Sequence, residues 1–309
     1  MAMDAMNRRE KEGTPEMITE EPKEGVASRR TGYPPREAEE AARRCIAAKD
    51  AAACGEWGWR GTWVLFRREL TRFMKVAGQS IGSPVLTTML YFVVFGYSLG
   101  ARLDEIRGIP YIDFLVPGLI MLNLITNAFL NSAFSLFIIK IHGALVDILL
   151  TPLTPLQIVL AYTSASLVRA MLTGGIIWAV AAAMGAGTIH NVAFTLVFMV
   201  LTAVGFALLG LVVAILAEDF DHVNLIPSFL LMPLTFLGGV FYSIEMLPEP
   251  WSTISQFNPI LYMVNGLRYG MTGVSDVPVW QGLFLVSAVV LLCGVLAVRL
   301  LASGKKLRE

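Results

Sequence analysis

The chain has 309 residues, 55% of them apolar and only 16% charged, with 24 basic and 24 acidic side chains cancelling to a net charge of zero. No basic patch interleaved with aromatics suggests a nucleic-acid partner. Nearly half the charges fall in residues 1–55, a polar cytoplasmic extension, and residues 56–305 are read as one polytopic, all-α membrane domain.

The extension contains no apolar core of signal-peptide length. Residues 1–35, with mixed charge and Pro, Gly and Ser, are expected to be disordered. Residues 37–53 predict a short helix, with Glu39/Arg43 and Glu40/Arg44 four residues apart. Cys45, Cys54 and Cys293 have no C-x-x-C spacing and read as free thiols.

Residues 57–76 predict an amphipathic helix. Trp59, Trp63, Phe66, Leu70 and Phe73 recur every three or four residues, and Arg60, Arg67, Arg68, Arg72 and Lys75 flank or oppose them. Such a helix lies flat at a membrane interface. A hydrocarbon core about 30 Å thick takes roughly 20 apolar residues per crossing. Six spans fit, at 79–101, 113–139, 156–184, 191–216, 223–242 and 279–302. Basic residues before the first span, and Lys305, Lys306 and Arg308 after the last, place both ends in the cytoplasm. Residues 102–111 and 185–190 are then external, and 140–155 and 217–222 cytoplasmic.

Between the second and third spans, residues 141–152 predict a short amphipathic helix ended by Pro152. Thr154 then serves as N-cap, with Pro155 in the first turn of the next span. Held between two long spans, the short helix can push on a partner as a unit. Before the last span, residues 243–275 continue an apolar run broken by Pro233, Gly238, Gly239, Pro248, Pro250, Asn258 and Pro259. Lipid tolerates only backbone satisfied within the protein, so this segment reads as a re-entrant helical hairpin entering from the outer face.

Three polar groupings compete for a role. Arg169 lies well inside the third span, where a guanidinium costs about 2.5–3.5 kcal/mol on insertion scales, so it faces protein or a water-filled cavity. It can line a path for an anionic or amphipathic substrate, contact a second protomer, join an ion pair or snorkel toward the cytoplasm. Asn123, Asn127 and Asn131 follow one face of the second span and serve either helix packing or that path. Thr173, Gly174, Gly175, Gly205 and Gly210 read as small packing positions. Glu218, Asp219, Asp221 and His222 read as a cytoplasmic turn rather than a metal site, for want of a second ligand cluster. His142 and His190 read as loop histidines. No G-x-x-x-x-G-K-[ST] occurs, so pumping with ATP would require another polypeptide to bind the nucleotide.

A family resemblance joins these pieces. His142-Gly143, Asp147-Ile-Leu-Leu-Thr-Pro-Leu-Thr-Pro155, Pro233-Leu-Thr-Phe-Leu-Gly-Gly-Val-Phe-Tyr242, Leu247-Pro248, Asn258-Pro259, Tyr262, Asn265-Gly-Leu-Arg-Tyr269 and Gly273 resemble motifs of ABC-2 type transporter permeases. The subgroup most similar contains nodulation-factor and drug-efflux permeases. The resemblance covers residues 58–303 and is most specific from Pro233 to Gly273.

It implies a homodimeric six-span permease of the inner or plasma membrane, with two ATP-binding subunits that carry ATP and magnesium, and no cofactor or catalytic residue here. It makes residues 141–152 the coupling helix, with His142, Gly143, Asp147, Leu150, Pro152 and Pro155 toward the ATPase. The basic amphipathic helix becomes the connecting helix. Gly238, Gly239, Tyr242, Pro248, Asn258, Pro259, Tyr262 and Arg268 fall in the re-entrant part of the path, and Arg169 and the three asparagines on the path or at a dimer contact. The implied cargo is amphipathic or lipid-like: a drug, a lipid-linked saccharide or a lipo-oligosaccharide. A secondary transporter or channel would want intramembrane acids and inverted halves. A membrane-embedded transferase using Asp219 and Asp221 with magnesium would want a second acidic cluster.

Overall fold

The computed structural model describes residues 56–98, 100, 105–151 and 153–303. The extension with Cys45 and Cys54, Pro152, and the basic tail at Lys305, Lys306 and Arg308 lie outside the described residues.

Six helices are long and apolar enough to cross a membrane. A basic helix, α1 (Glu56–Lys75), leads into α2 (Ala77–Tyr91), which continues as a π-helical turn at Phe92–Tyr97. A two-stranded hairpin, β1 (Glu105–Ile106) and β2 (Ile109–Pro110), precedes the long helix α3 (Tyr111–Ile141). The short α4 (Leu145–Leu150) links it to α5 (Pro155–Ala183), and α6 (Val192–Leu216) follows. The fifth crossing is composite: α7 (Phe220–Ile226), a π turn at Pro227–Leu231, and α8 (Met232–Leu237). A 3₁₀ turn at Ile244–Met246, α9 (Trp251–Gln256) and α10 (Pro259–Thr272) precede the last crossing, α11 (Val279–Ser303).

Helix α3 is the axis of the bundle, packing on α5, α6 and α10. It and α6 are mostly buried, whereas α2, α7–α8 and α11 bury little. The α3–α6 crossing is tight because Gly210 has no side chain: a Cβ there would sit 2.5 Å from the carbonyl oxygen of Phe129. Gly175 instead faces open space. Gly210→Val is therefore expected to force the helices apart at about 1–3 kcal/mol. Gly175→Ala should hold or raise stability, since Ala is the better helix former. Thermal unfolding of the two variants in detergent checks the contrast; equal shifts would contradict the close approach.

The structure revises four expectations. Pro233 does not break the fifth crossing: it falls in the first turn of α8, after a π turn at Pro227–Leu231, so its missing N–H is tolerated, but the helix ends at Leu237 rather than at 242. The break comes at Gly238, where the helix ends, and at Gly239, whose φ of 72° suits glycine. Second, α3 runs on to Ile141, beyond the predicted 139. Lys140 reaches sideways to donate to the carbonyls of Ile215 (2.7 Å) and Ala217 (2.8 Å) at the end of α6, where a cation meets the helix dipole. Third, the segment between α2 and α3 contains a small hairpin, turning through Arg107 (φ 52°) and Gly108 (φ 75°). Positive φ at both turn positions is the geometry that a two-residue hairpin favours.

The last revision concerns α1. Its protein-facing stripe is Thr62, Leu65, Glu69 and Phe73, with Phe66 and Leu70 half-buried. Trp59 and Trp63 are 67% and 62% exposed, so the predicted apolar face is split between protein and surroundings. Helix α1 packs along α5, and Gly61 lets it close on Leu153: a Cβ would come 2.8 Å from that side chain.

Candidate functional site

Three places hold the polar side chains singled out above. The first is the turn between α3 and α5. Helix α3 ends at His142, whose ring Nδ1 lies 2.7 Å from the carbonyl of Ile138, and Gly143 (φ 71°) reverses the chain. In α4, Leu145 and Ile148 are buried, while Val146, Asp147 and Leu150 point away, Leu150 being 73% exposed. The exit is set by a reciprocal capping box: Gln157 donates its backbone N–H to Thr154 Oγ1 (3.3 Å), and Thr154 donates its own to Gln157 Oε1 (2.9 Å). Pro155 sits in the first turn, where a missing N–H is harmless. The result is a capped corner with His142, Asp147 and Leu150 on its exposed side.

The second place lies beyond Gly238, and Arg268 organises it. This arginine is 1% exposed, donates to the Gly239 carbonyl at 2.6 Å and to Asn265 Oδ1 at 3.4 Å, and lies 3.7 Å from the Phe114 ring centroid. Asp276, with only 3% of its side chain exposed, approaches it at 3.6 Å. Ser243 donates to Asp276 (3.1 Å), and Arg107 pairs with Asp276 (3.3 Å), with Glu245 and with the Ser275 carbonyl (2.9 Å). The hydrogen bond to Glu245 holds the Arg107 guanidinium above its ordinary pKa, and these contacts fix a non-glycine residue at positive φ.

Asn258 joins the same cluster, capping Ile260 N–H (3.0 Å) and donating to the Leu234 carbonyl (2.5 Å). Pro259 starts α10, while the Tyr242 and Tyr262 hydroxyls donate to Phe236 and Gln256 carbonyls, both at 2.9 Å. Pro248 is exposed and stands apart. The structure thus gathers Gly238, Gly239, Asn258, Pro259 and Arg268 around one turn.

The third place is a groove of about 520 Å³ between α2, α3 and the α7–α8 crossing. Ser80, Ser83, Thr87, Asn123, Thr126, Asn127 and Ser228 supply polar lining, Leu122, Leu130 and Met232 apolar lining, and Arg169 reaches it from α5. Its guanidinium donates to Asn131 Oδ1 (2.9 Å) and Asn127 Oδ1 (3.4 Å) and lies 5.2 Å from the Phe73 ring centroid. The asparagine amides continue the chain: Asn131 donates to Ser166 (2.8 Å), Asn127 to Asn123 (2.8 Å) and Asn123 to Thr88 on α2 (2.7 Å). One ladder therefore ties α2, α3 and α5 together behind the groove. The clustered residues of the Gly238 turn line no part of it.

Sequence reasoning missed Asp276, Arg107, Glu245 and Ser243, whose partners lie far apart in the chain. It also missed Glu69, 2% exposed on α1, which accepts from Ser135 on α3 and pairs with Arg72 at 3.0 Å. The only available signal was an acid within the apolar half of an amphipathic helix. Glu218, Asp219, Asp221 and His222 are exposed, and among the described residues no three potential metal ligands converge.

A model of the ABC-2 type transporter family matches residues 60–272, spanning α1, the groove, the α4 corner and the Gly238 turn. The chain belongs to the ABC-2 type transporter family. It is 39% identical over 220 residues to the inner membrane transport permease YadH of Escherichia coli K12, covering 71% of this chain and 86% of that one. Nodulation protein J of Sinorhizobium fredii is 28% identical over 216 residues, 70% and 81% of the two chains. Nodulation protein J of Rhizobium leguminosarum bv. trifolii is 28% identical over 229 residues, 74% and 86%. The protein is a multi-pass membrane transporter subunit, and this ABC-2 fold places the three polar regions in one bundle.

Proposed function

We propose that this chain is the permease half of an ATP-driven exporter, working as a homodimer with two separate ATP-binding subunits. The observation that carries the reading is the α4 corner. A ridge of Asp147 and Leu150 stands exposed on a short helix whose other face is buried, and whose ends are tied to two crossings. Such a corner transmits a push from a partner as a rigid unit. ATP and magnesium belong to that partner, in keeping with the missing phosphate-binding motif.

The cargo path is the groove. Its two flanking crossings, α2 and α7–α8, bury little, and a polar opening in hydrocarbon needs a protein cover. A second copy of the chain supplies that cover, closing two grooves into one route. Closure of the ATP-binding subunits would drive the α4 corners and tilt the crossings, a two-state element biased by a ligand bound elsewhere. Cargo of amphipathic or lipid-like character then leaves past the Gly238 turn and the paired α9 and α10, which form the re-entrant hairpin at the outer mouth. Both termini lie in the cytoplasm, and the membrane is the inner or plasma membrane.

Co-purification from native membranes tests this reading. The expected companion is an ATPase at one copy per permease, cross-linking to Leu150→Cys. A chain that transports while recovered free of any ATPase would contradict it.

A further inference from the structure

The groove holds a charge that the protein leaves unneutralised. Other buried charges are answered by opposite charge: Arg268 and Asp276 face each other, and Glu69 pairs with Arg72. Arg169 pairs with no carboxylate among the described residues. It is the middle residue of α5, and its guanidinium is held inside the bundle between the asparagines of α3 and Phe73 of α1. Its contacts are neutral: two amide oxygens and an aromatic face, with Nε buried and unpartnered.

The asparagine ladder sharpens this. Each amide spends an N–H on a neighbour, which turns the Asn127 and Asn131 oxygens toward the guanidinium. Dipoles hold the cation in place without cancelling it. An uncompensated cation at the wall of a cavity in low dielectric attracts an anion strongly. Around it, Ser80, Ser83 and Ser228 offer hydroxyls that can donate to acceptor oxygens, and Leu122 and Leu130 offer apolar contact.

Resting on the reading of the groove as the cargo path, we infer that it selects amphiphiles carrying an anionic group (phosphate, sulfate or carboxylate), which docks on Arg169 while the apolar part lies along α2 and α3. Arg169 thereby sets specificity, and the three asparagines position it.

The test uses the full chain with its ATPase companion in phosphatidylcholine nanodiscs. The probes are radiolabelled lysophosphatidic acid, the uncharged monoacylglycerol of the same chain length, and inorganic phosphate. Wild type is expected to retain the lysophosphatidic acid at least about tenfold more tightly than the monoacylglycerol, as a charge-assisted hydrogen bond allows. Arg169→Gln is expected to bring that ratio to about one, and Arg169→Lys to restore part of it. Should Arg169→Gln fail to fold, the wild-type ratio and protection of Ser83→Cys from a thiol reagent by lysophosphatidic acid still decide. Equal retention of both amphiphiles, with Ser83→Cys protected by each, overturns the charge selection and leaves the groove as the path. Binding of neither, with Ser83→Cys unprotected, sinks the path itself. Competition by inorganic phosphate at the concentration of the amphiphile overturns the proposal in favour of a simple anion site.

Discussion

Arg268→Met is expected to lower the stability of the solubilised protein by about 3–5 kcal/mol, the usual cost of removing one partner from a buried ion pair. The guanidinium is 1% exposed and holds the Gly239 carbonyl at 2.6 Å, so its loss orphans that carbonyl at the turn which ends the fifth crossing. It also leaves Asp276, 3% exposed, with a buried charge answered by Arg107 alone. The double change Arg268→Met with Asp276→Asn should recover a part of the loss, because it removes the stranded charge; neighbours of this kind couple by about 0.5–3 kcal/mol. Thermal unfolding followed by size-exclusion fluorescence reads both. Wild-type stability in Arg268→Met, or strictly additive losses, would show that the cluster is not held by charge.

The second large effect is expected on coupling rather than on folding. Asp147 and Leu150 are exposed on α4, so Asp147→Ala with Leu150→Ala should insert and unfold like wild type, within about 0.5 kcal/mol per site. If the ridge is the surface a partner pushes on, the same double variant should cut transport-linked ATPase activity about thirtyfold, the equivalent of one interface hot spot. Ile148→Ala is the contrasting case: 6% exposed beneath α4, it should cost stability first. Full coupling in the double variant would strip α4 of its assigned role.

The crossings were legible in the sequence because each needs a long apolar run, and length alone distinguishes such runs from soluble helices. Their ends were less legible. Lys140 extends α3 by finding carbonyls on α6, and Pro227 is absorbed by a π turn; neither event leaves a local mark. In α1 the period-3.6 pattern was read correctly as amphipathic but assigned one face. In lipid an apolar face has two possible neighbours, so Trp59 and Trp63 turned outward while Glu69 turned in to meet Ser135.

The candidate sites divide the same way. At the α4 corner the Thr154 cap and Pro155 were legible from residues close in sequence, but the short helix spans Leu145–Leu150 rather than 141–152, because α3 runs on to Ile141 and residues 142–144 form a turn. The three asparagines share one face of α3, so their alignment was legible from spacing, whereas the meeting with Arg169 on α5 was not. Asp276 meets Arg107, Ser243 and Arg268, residues up to 169 positions away, and no local pattern announces such a meeting.

The most direct measurement is flipping of a fluorescent lysophospholipid in proteoliposomes, scored by its exposure to a membrane-impermeant quencher. With the ATP-binding companion present, ATP should drive the lipid across; with this chain alone, neither ATP nor an imposed ion gradient should move it. Movement by the isolated chain under a gradient would contradict the account, since it would mean that the energy enters through this polypeptide after all.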